Sequence, residues 1–146
     1  MNADIKRLVT AACDQRVRSY SPYSRFRVGA ALLGKSGTVY LGTNVENASF
    51  GLSICAERSA VVQAVSAGER EFVAIAICAD GLTPTAPCGA CRQVLLEFGS
   101  ELPVILAGDA GLEGDLLELT VAELLPHAFF DFTAQLKGDK DGKDSS

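Results

Sequence analysis

Hydrophobic positions along the chain change period several times, and each change marks an element. Ile5, Leu8, Val9 and Ala12 recur at i, i+3, i+4 and i+7, which predicts an amphipathic helix over residues 4–18. SYSPYSRF breaks that pattern with Pro22 and its serines. VGAALLG and TVYLGT then flank Lys35-Ser36-Gly37 and read as a β-hairpin. NVENASFGLS is polar and turn-rich, so it reads as a loop. CAERSAVVQAVSAGE returns to helical spacing and stops at Gly68. EFVAIAICA is the continuous apolar run of a buried strand, DGLTPTAP is a loop, and CGACRQVLLEFG is a helix of about three turns ended by Gly99. PVILAG and LLELT read as strands, and VAELLP as a short helix capped by Thr120. Strands alternating with helices predict an α/β fold, a mixed β-sheet flanked by helices on both faces. One domain is expected over residues 1–136, followed by a charged tail, KGDKDGKDSS from Lys137, expected to be disordered.

Composition narrows the classes of function. A length of 146 residues suits one domain with its own core, and 48% hydrophobic against 21% charged residues suits a soluble protein. No apolar run is long enough to cross a bilayer, and Asp4, Lys6 and Arg7 interrupt the segment where a signal peptide needs its apolar core. The expectation is a cytoplasmic protein without a membrane partner. A net charge of −5 argues against nucleic acid as a partner, because that affinity rests on Lys and Arg neutralising phosphates, but it leaves a single nucleoside open. Five cysteines, an odd number without an export signal, point to a metal site or reactive thiols rather than a disulfide framework.

The cysteines separate by context. Cys88 and Cys91 form a C-x-x-C behind Pro87 at a loop-to-helix junction, and Cys55 stands at another such junction. Helix starts present unpaired N–H groups and partial positive charge, which favour the thiolate that binds metal. Zinc held by three protein ligands keeps a fourth position for water, the catalytic arrangement. Cys13 and Cys78 fall in apolar patterns and read as separate core cysteines. His127 reads as a loop residue. Taken singly, the C-x-x-C could equally serve a thioredoxin-type dithiol, and Glu57 and Arg58 could be surface residues. Together, Cys55-Ala56-Glu57 followed by Pro87-Cys88-Gly89-Ala90-Cys91 match the three-cysteine variant of the zinc nucleobase deaminase signature.

On those residues, and on SPYSRFRVGAALL, NVENASF, TAPCGACRQV and ELLP in the same order, the chain resembles cytidine deaminase over residues from about 5 to 130. The resemblance implies one Zn2+ per chain on Cys55, Cys88 and Cys91, and Glu57 as the residue that carries protons between the attacking water, the pyrimidine ring and the departing ammonia. Arg58, three residues after Cys55 on one helical face, would offset the excess negative charge of three thiolates, with Arg92 as a lesser contributor. Asn44 and Glu46 would hold the ribose hydroxyls, an amide and a carboxylate suited to a diol. Phe26 would pack against the base, and backbone groups near Ala56 and Pro87-Cys88 would read its edge. Phe129, Ala48 and Phe50 match positions that a neighbouring subunit contributes. The family usually carries Tyr where this chain has Phe50. A short chain with one copy of the motif resembles the homotetrameric members, acting in pyrimidine salvage on cytidine and deoxycytidine. The nearest alternative is a blasticidin S-type or other small-nucleoside deaminase. From other classes come a non-catalytic zinc module, which leaves Glu57 unexplained, and a dithiol redox protein, which leaves Cys55 unexplained.

Overall fold

The computed structural model of the protein describes residues 2–130, so the tail from residue 137 lies outside the described residues. The chain runs through α1 (Ala3–Arg16), β1 (Val28–Gly34), β2 (Val39–Thr43), α2 (Ala56–Ser66), β3 (Phe72–Ala79), α3 (Gly89–Leu96), β4 (Pro103–Ala107), β5 (Leu116–Thr120) and α4 (Val121–Leu124). The strands form one mixed sheet in the order β2-β1-β3-β4-β5. Only β3 and β4 run parallel; β1 pairs antiparallel with β2 and β3, and β4 with β5. The α/β architecture expected from the alternation of elements is the one observed. α3 is shorter than its apolar pattern predicts, ending at Leu96, because Phe98 and Gly99 leave the helix in a turn. A short 3-10 turn at Phe50–Leu52 lies in the segment read as a loop, and another at Gly111–Glu113 lies between β4 and β5.

Strand periodicity divides the core in two. Ala30, Leu32, Ile75, Ile77, Val104 and Leu106 point to one face, where α2, α3 and α4 pack. Ala31, Leu33, Ala74, Ala76, Cys78, Ile105 and Ala107 point to the other, under Leu8, Val9 and Ala12 of α1. Two glycines let the helices come close. A Cβ on Gly29 would stand 2.1 Å from the Ala12 carbonyl oxygen, and one on Gly42 would stand 2.4 Å from that of Ala56. Gly42 therefore seats the first turn of α2 on the sheet, and with it Cys55 and Glu57.

Two features tie the α1 face to the rest. Asp80, just past β3, accepts from Arg16 of α1 at 2.6 Å and from the backbone and side chain of Arg27, which fastens the end of the segment leading into β1. Burial works against the Asp80 charge, but these arginines hold its carboxyl below the ordinary range. The second tie corrects the sequence reading: Cys13 of α1 and Cys78 of β3 are joined as a disulfide, with Cα atoms 5.1 Å apart. α1 lies directly across β3, an arrangement that apolar patterning alone does not register across a separation of 65 residues.

Candidate active site

The site begins with two unusual helix starts. Cys55 is the N-cap of α2 and Cys88 that of α3; both have extended backbones, and neither side chain caps its helix. Each sulfur is thus left free for another partner. Cys55 Sγ and Cys88 Sγ lie 3.7 Å apart, and with Cys91, buried in the first turn of α3, all three sulfurs fall within 4.8 Å of one another. Sulfurs bound tetrahedrally to zinc at about 2.3 Å stand roughly 3.8 Å apart. The cluster therefore fits a single zinc ion with three thiolate ligands. Among the described residues no other group of three or more metal-binding side chains is gathered.

The electrostatics around the thiols are directional. Arg58, one turn along α2, reaches Cys55 Sγ with Nη2 at 3.6 Å. The Cys55 thiol is lowered to about 5, first by the hydrogen bond from Cys91 and then by Arg58 and Cys88. Cys91 is pushed up, chiefly because it donates to Cys55 and secondly by its burial. In return, Cys55 raises the pKa of Arg58. Glu57 is only 4% exposed, the one buried charged residue among those described. Burial pushes its carboxyl up, with the negative Cys55 adding to the shift, so this acid holds a proton more readily than a surface glutamate. Arg92, expected to take a lesser share of the charge balance, also has a bracing role. Its Nε donates to Pro87 O at 2.8 Å and its Nη1 to Leu124 O at 2.7 Å, bracing the loop before Cys88 against the end of α4.

A cavity of about 330 Å³ adjoins the cluster. Cys55, Ala56, Glu57 and Cys88 line it, together with Phe26, Asn44 and Glu46, so these distant stretches of sequence meet at one place. Its volume lies within the usual range for small-molecule sites. Asn44 joins β2 to the segment before β1: its Oδ1 accepts from Val28 N–H at 3.0 Å and from the Ser19 hydroxyl, while its Nδ2 donates to Phe26 O at 2.7 Å. Glu46 accepts from Tyr23 N–H, Ser24 N–H and the Ser24 hydroxyl. The Ser24 hydroxyl is the main reason its carboxyl is held below the ordinary range.

Phe129, Ala48 and Phe50 do not line this cavity. Phe129 is 61% and Phe50 72% exposed, and the Phe50 ring sits edge-on to Tyr23 at 5.8 Å between centroids. Ser24, Ser53 and Thr85 do line it, and the sequence reading passed over all three. The available signal was the serine pair around Tyr23 in SPYSRF, which reads as a helix break when only hydrophobic period is followed.

Comparison with known proteins follows the same line. Residues 2–107 match the cytidine and deoxycytidylate deaminase zinc-binding region. The cytidine deaminase of Halalkalibacterium halodurans is 52% identical over 126 residues, spanning 86% of this chain and 94% of that protein. That of Sporosarcina psychrophila is 49% identical over 127 residues, with 86% and 91% spanned. The crystal structure of cytidine deaminase from Burkholderia pseudomallei superposes with a TM-score of 0.80 at 46% identity, covering 88% of this chain and all of that one. A motif match over most of the chain and relatives that share about half of their residues with it lead to one conclusion: the chain belongs to the cytidine and deoxycytidylate deaminase family.

Proposed function

We propose that this protein is a zinc-dependent cytidine deaminase, converting cytidine and deoxycytidine with water into uridine and deoxyuridine and releasing ammonia. The observation that carries this reading is a buried glutamate between two clustered thiols in sequence and beside them in space, facing a nucleoside-sized cavity. Cys55, Cys88 and Cys91 would hold the zinc, which supplies Lewis-acid activation of water at neutral pH. Glu57 takes the proton that water gives up as its oxygen bonds to C4 of the base. It passes that proton to the ring nitrogen, then takes a second from the new C4 hydroxyl and delivers it to the amino nitrogen, so that the C4–N bond breaks with release of ammonia and the C4 carbonyl forms. Its raised proton affinity suits a group that accepts a proton as well as donating one. Arg58 keeps the thiol cluster from becoming too negative. Phe26 packs on the base, Ala56 and Pro87-Cys88 present backbone groups to its edge, and Asn44 and Glu46 receive the sugar hydroxyls.

The same reading assigns the chain a homotetrameric assembly in the cytoplasm, with Phe129, Ala48 and Phe50 completing a neighbour's cavity and the reaction serving pyrimidine salvage. The exposure of Phe50, Leu52, Phe129 and Phe130 supports a further surface to be covered. Among the described residues no helix is long and apolar enough to cross a membrane. Ammonia release from cytidine, deoxycytidine, CMP and cytosine, measured alongside zinc content, tests the assignment. Turnover of both nucleosides with poor turnover of CMP and cytosine is expected. Comparable kcat/KM for CMP and cytidine would move the function from nucleosides to nucleotides.

A further inference from the structure

Glu46 is held more firmly than a sugar acceptor at a cavity wall needs to be. Its Oε1 accepts from Tyr23 N–H at 3.0 Å and Ser24 N–H at 3.1 Å, and its Oε2 from the Ser24 hydroxyl. An ionised carboxylate offers about four lone-pair sites, so these three donors leave one, on Oε2. The Ser24 oxygen accepts in turn from Phe26 N–H at 3.0 Å, and its single hydrogen goes to Glu46, whose carboxylate can only accept. Arg25, between the two, adopts φ 57, a left-handed conformation unfavourable for a residue with a Cβ, and is pinned there by its N–H to Ser21 O at 2.9 Å. Ser24, Phe26 and Glu46 all line the same cavity. A small hydroxyl thus links the aromatic assigned to the base with the carboxylate assigned to the sugar.

We propose that Ser24 is a positioning residue for sugar recognition: by fixing the Glu46 carboxylate and its one remaining lone pair, it sets the preference for cytosine nucleosides that carry sugar hydroxyls. This rests on the assignment of Glu46 to the sugar made above. Without the hydroxyl, Glu46 keeps its two backbone donors, but Oε2 is released to water and the Phe26 N–H loses its acceptor. The loss falls on binding of the sugar and leaves the chemistry at C4 alone, since among the described residues the Ser24 hydroxyl bonds to Glu46 and the Phe26 N–H.

The test compares wild type, Ser24→Ala, Ser24→Thr and Glu46→Gln, each with zinc content measured, on cytidine and on 2′,3′-dideoxycytidine. Ser24→Ala should raise KM for cytidine about 10- to 150-fold with kcat within about twofold, the scale of one lost hydrogen bond to a charged group. KM for the dideoxy compound should stay within about twofold, because the carboxylate has no hydroxyl there to receive. Ser24→Thr should restore the cytidine value. If Ser24→Ala weakens both substrates equally, or lowers kcat instead, while Glu46→Gln still discriminates between them, Ser24 is a structural residue only. If Glu46→Gln itself fails to discriminate, the assignment of Glu46 to the sugar falls, and the inference falls with it.

Discussion

The helices of this protein begin in two different ways. α1 and α4 start conventionally: the Asn2 side chain accepts from Ile5 N–H at 2.8 Å, and Thr120 and Glu123 form a reciprocal capping box. α2 and α3 start at Cys55 and Cys88, whose sulfurs cap nothing. The first pair uses its N-cap atoms to stabilise the fold. The second pair leaves its N–H groups and partial positive charge facing a cluster of thiols. A position worth about 1 kcal/mol as a cap has been given over to chemistry. The difference shows where stability and function compete for the same residue.

The comparison can be broken at its sulfur atoms. Cys88→Ser places a capping oxygen at the start of α3 and removes a zinc ligand. Zinc content should fall from about one per chain to near zero, and activity by roughly 1,000-fold or more, while the metal-free protein gains up to about 1 kcal/mol of stability. Atomic absorption, a deaminase assay and thermal melts together check this; a zinc-loaded, active Cys88→Ser protein would sink the ligand assignment. Glu57→Gln is expected to keep the metal and lose about 10²–10⁴ in kcat, the worth of one proton-transfer group. A variant with most of its kcat would remove Glu57 from the mechanism.

Smaller effects sharpen the contrast. Arg58→Gln takes away the cation nearest Cys55, so the cluster becomes more negative and the water it activates harder to ionise. The rate–pH profile should move to higher pH, with a loss of about tenfold at neutral pH, roughly one pKa unit's worth of stabilisation. An unchanged profile would mean that the helix starts suffice alone. At the conventional cap, Thr120→Ala should lower stability by about 0.5–2 kcal/mol and leave kcat and zinc content untouched. Loss of metal in that variant would show that the two kinds of helix start are not separable.

What was legible in the sequence follows the same division. β1, β3 and β4 were legible because each is a short apolar run bounded by turn or loop residues, a signal that is local in sequence, whereas the two faces they serve emerge only in the fold. The zinc-binding stretches were legible because ligand spacing is fixed by one turn of helix, as in Cys88 and Cys91. Three things were not. Gly42 reads as an ordinary strand glycine until α2 is seen lying on it. Arg92 reads as a second counter-charge, and its hydrogen bonds to the Pro87 and Leu124 carbonyls join residues that meet only in the fold. Ser24 reads as loop filler, because its partner Glu46 is 22 positions away and joined to it only by the path of the chain around β1 and β2.

The bond between Cys13 and Cys78 has a consequence that lies in the denatured chain. It encloses a loop spanning 65 positions, which contains α1's exit, the whole β1–β2 hairpin and all of α2. Closing a loop of that length removes conformational freedom from the unfolded ensemble worth about 4 kcal/mol in the chain-entropy treatment. The remaining sequence, from α3 through α4, gains no such restriction. One of the three clustered cysteines, Cys55, would therefore search for its partners from inside a pre-looped chain, while the other two, Cys88 and Cys91, would do so from the free segment beyond it.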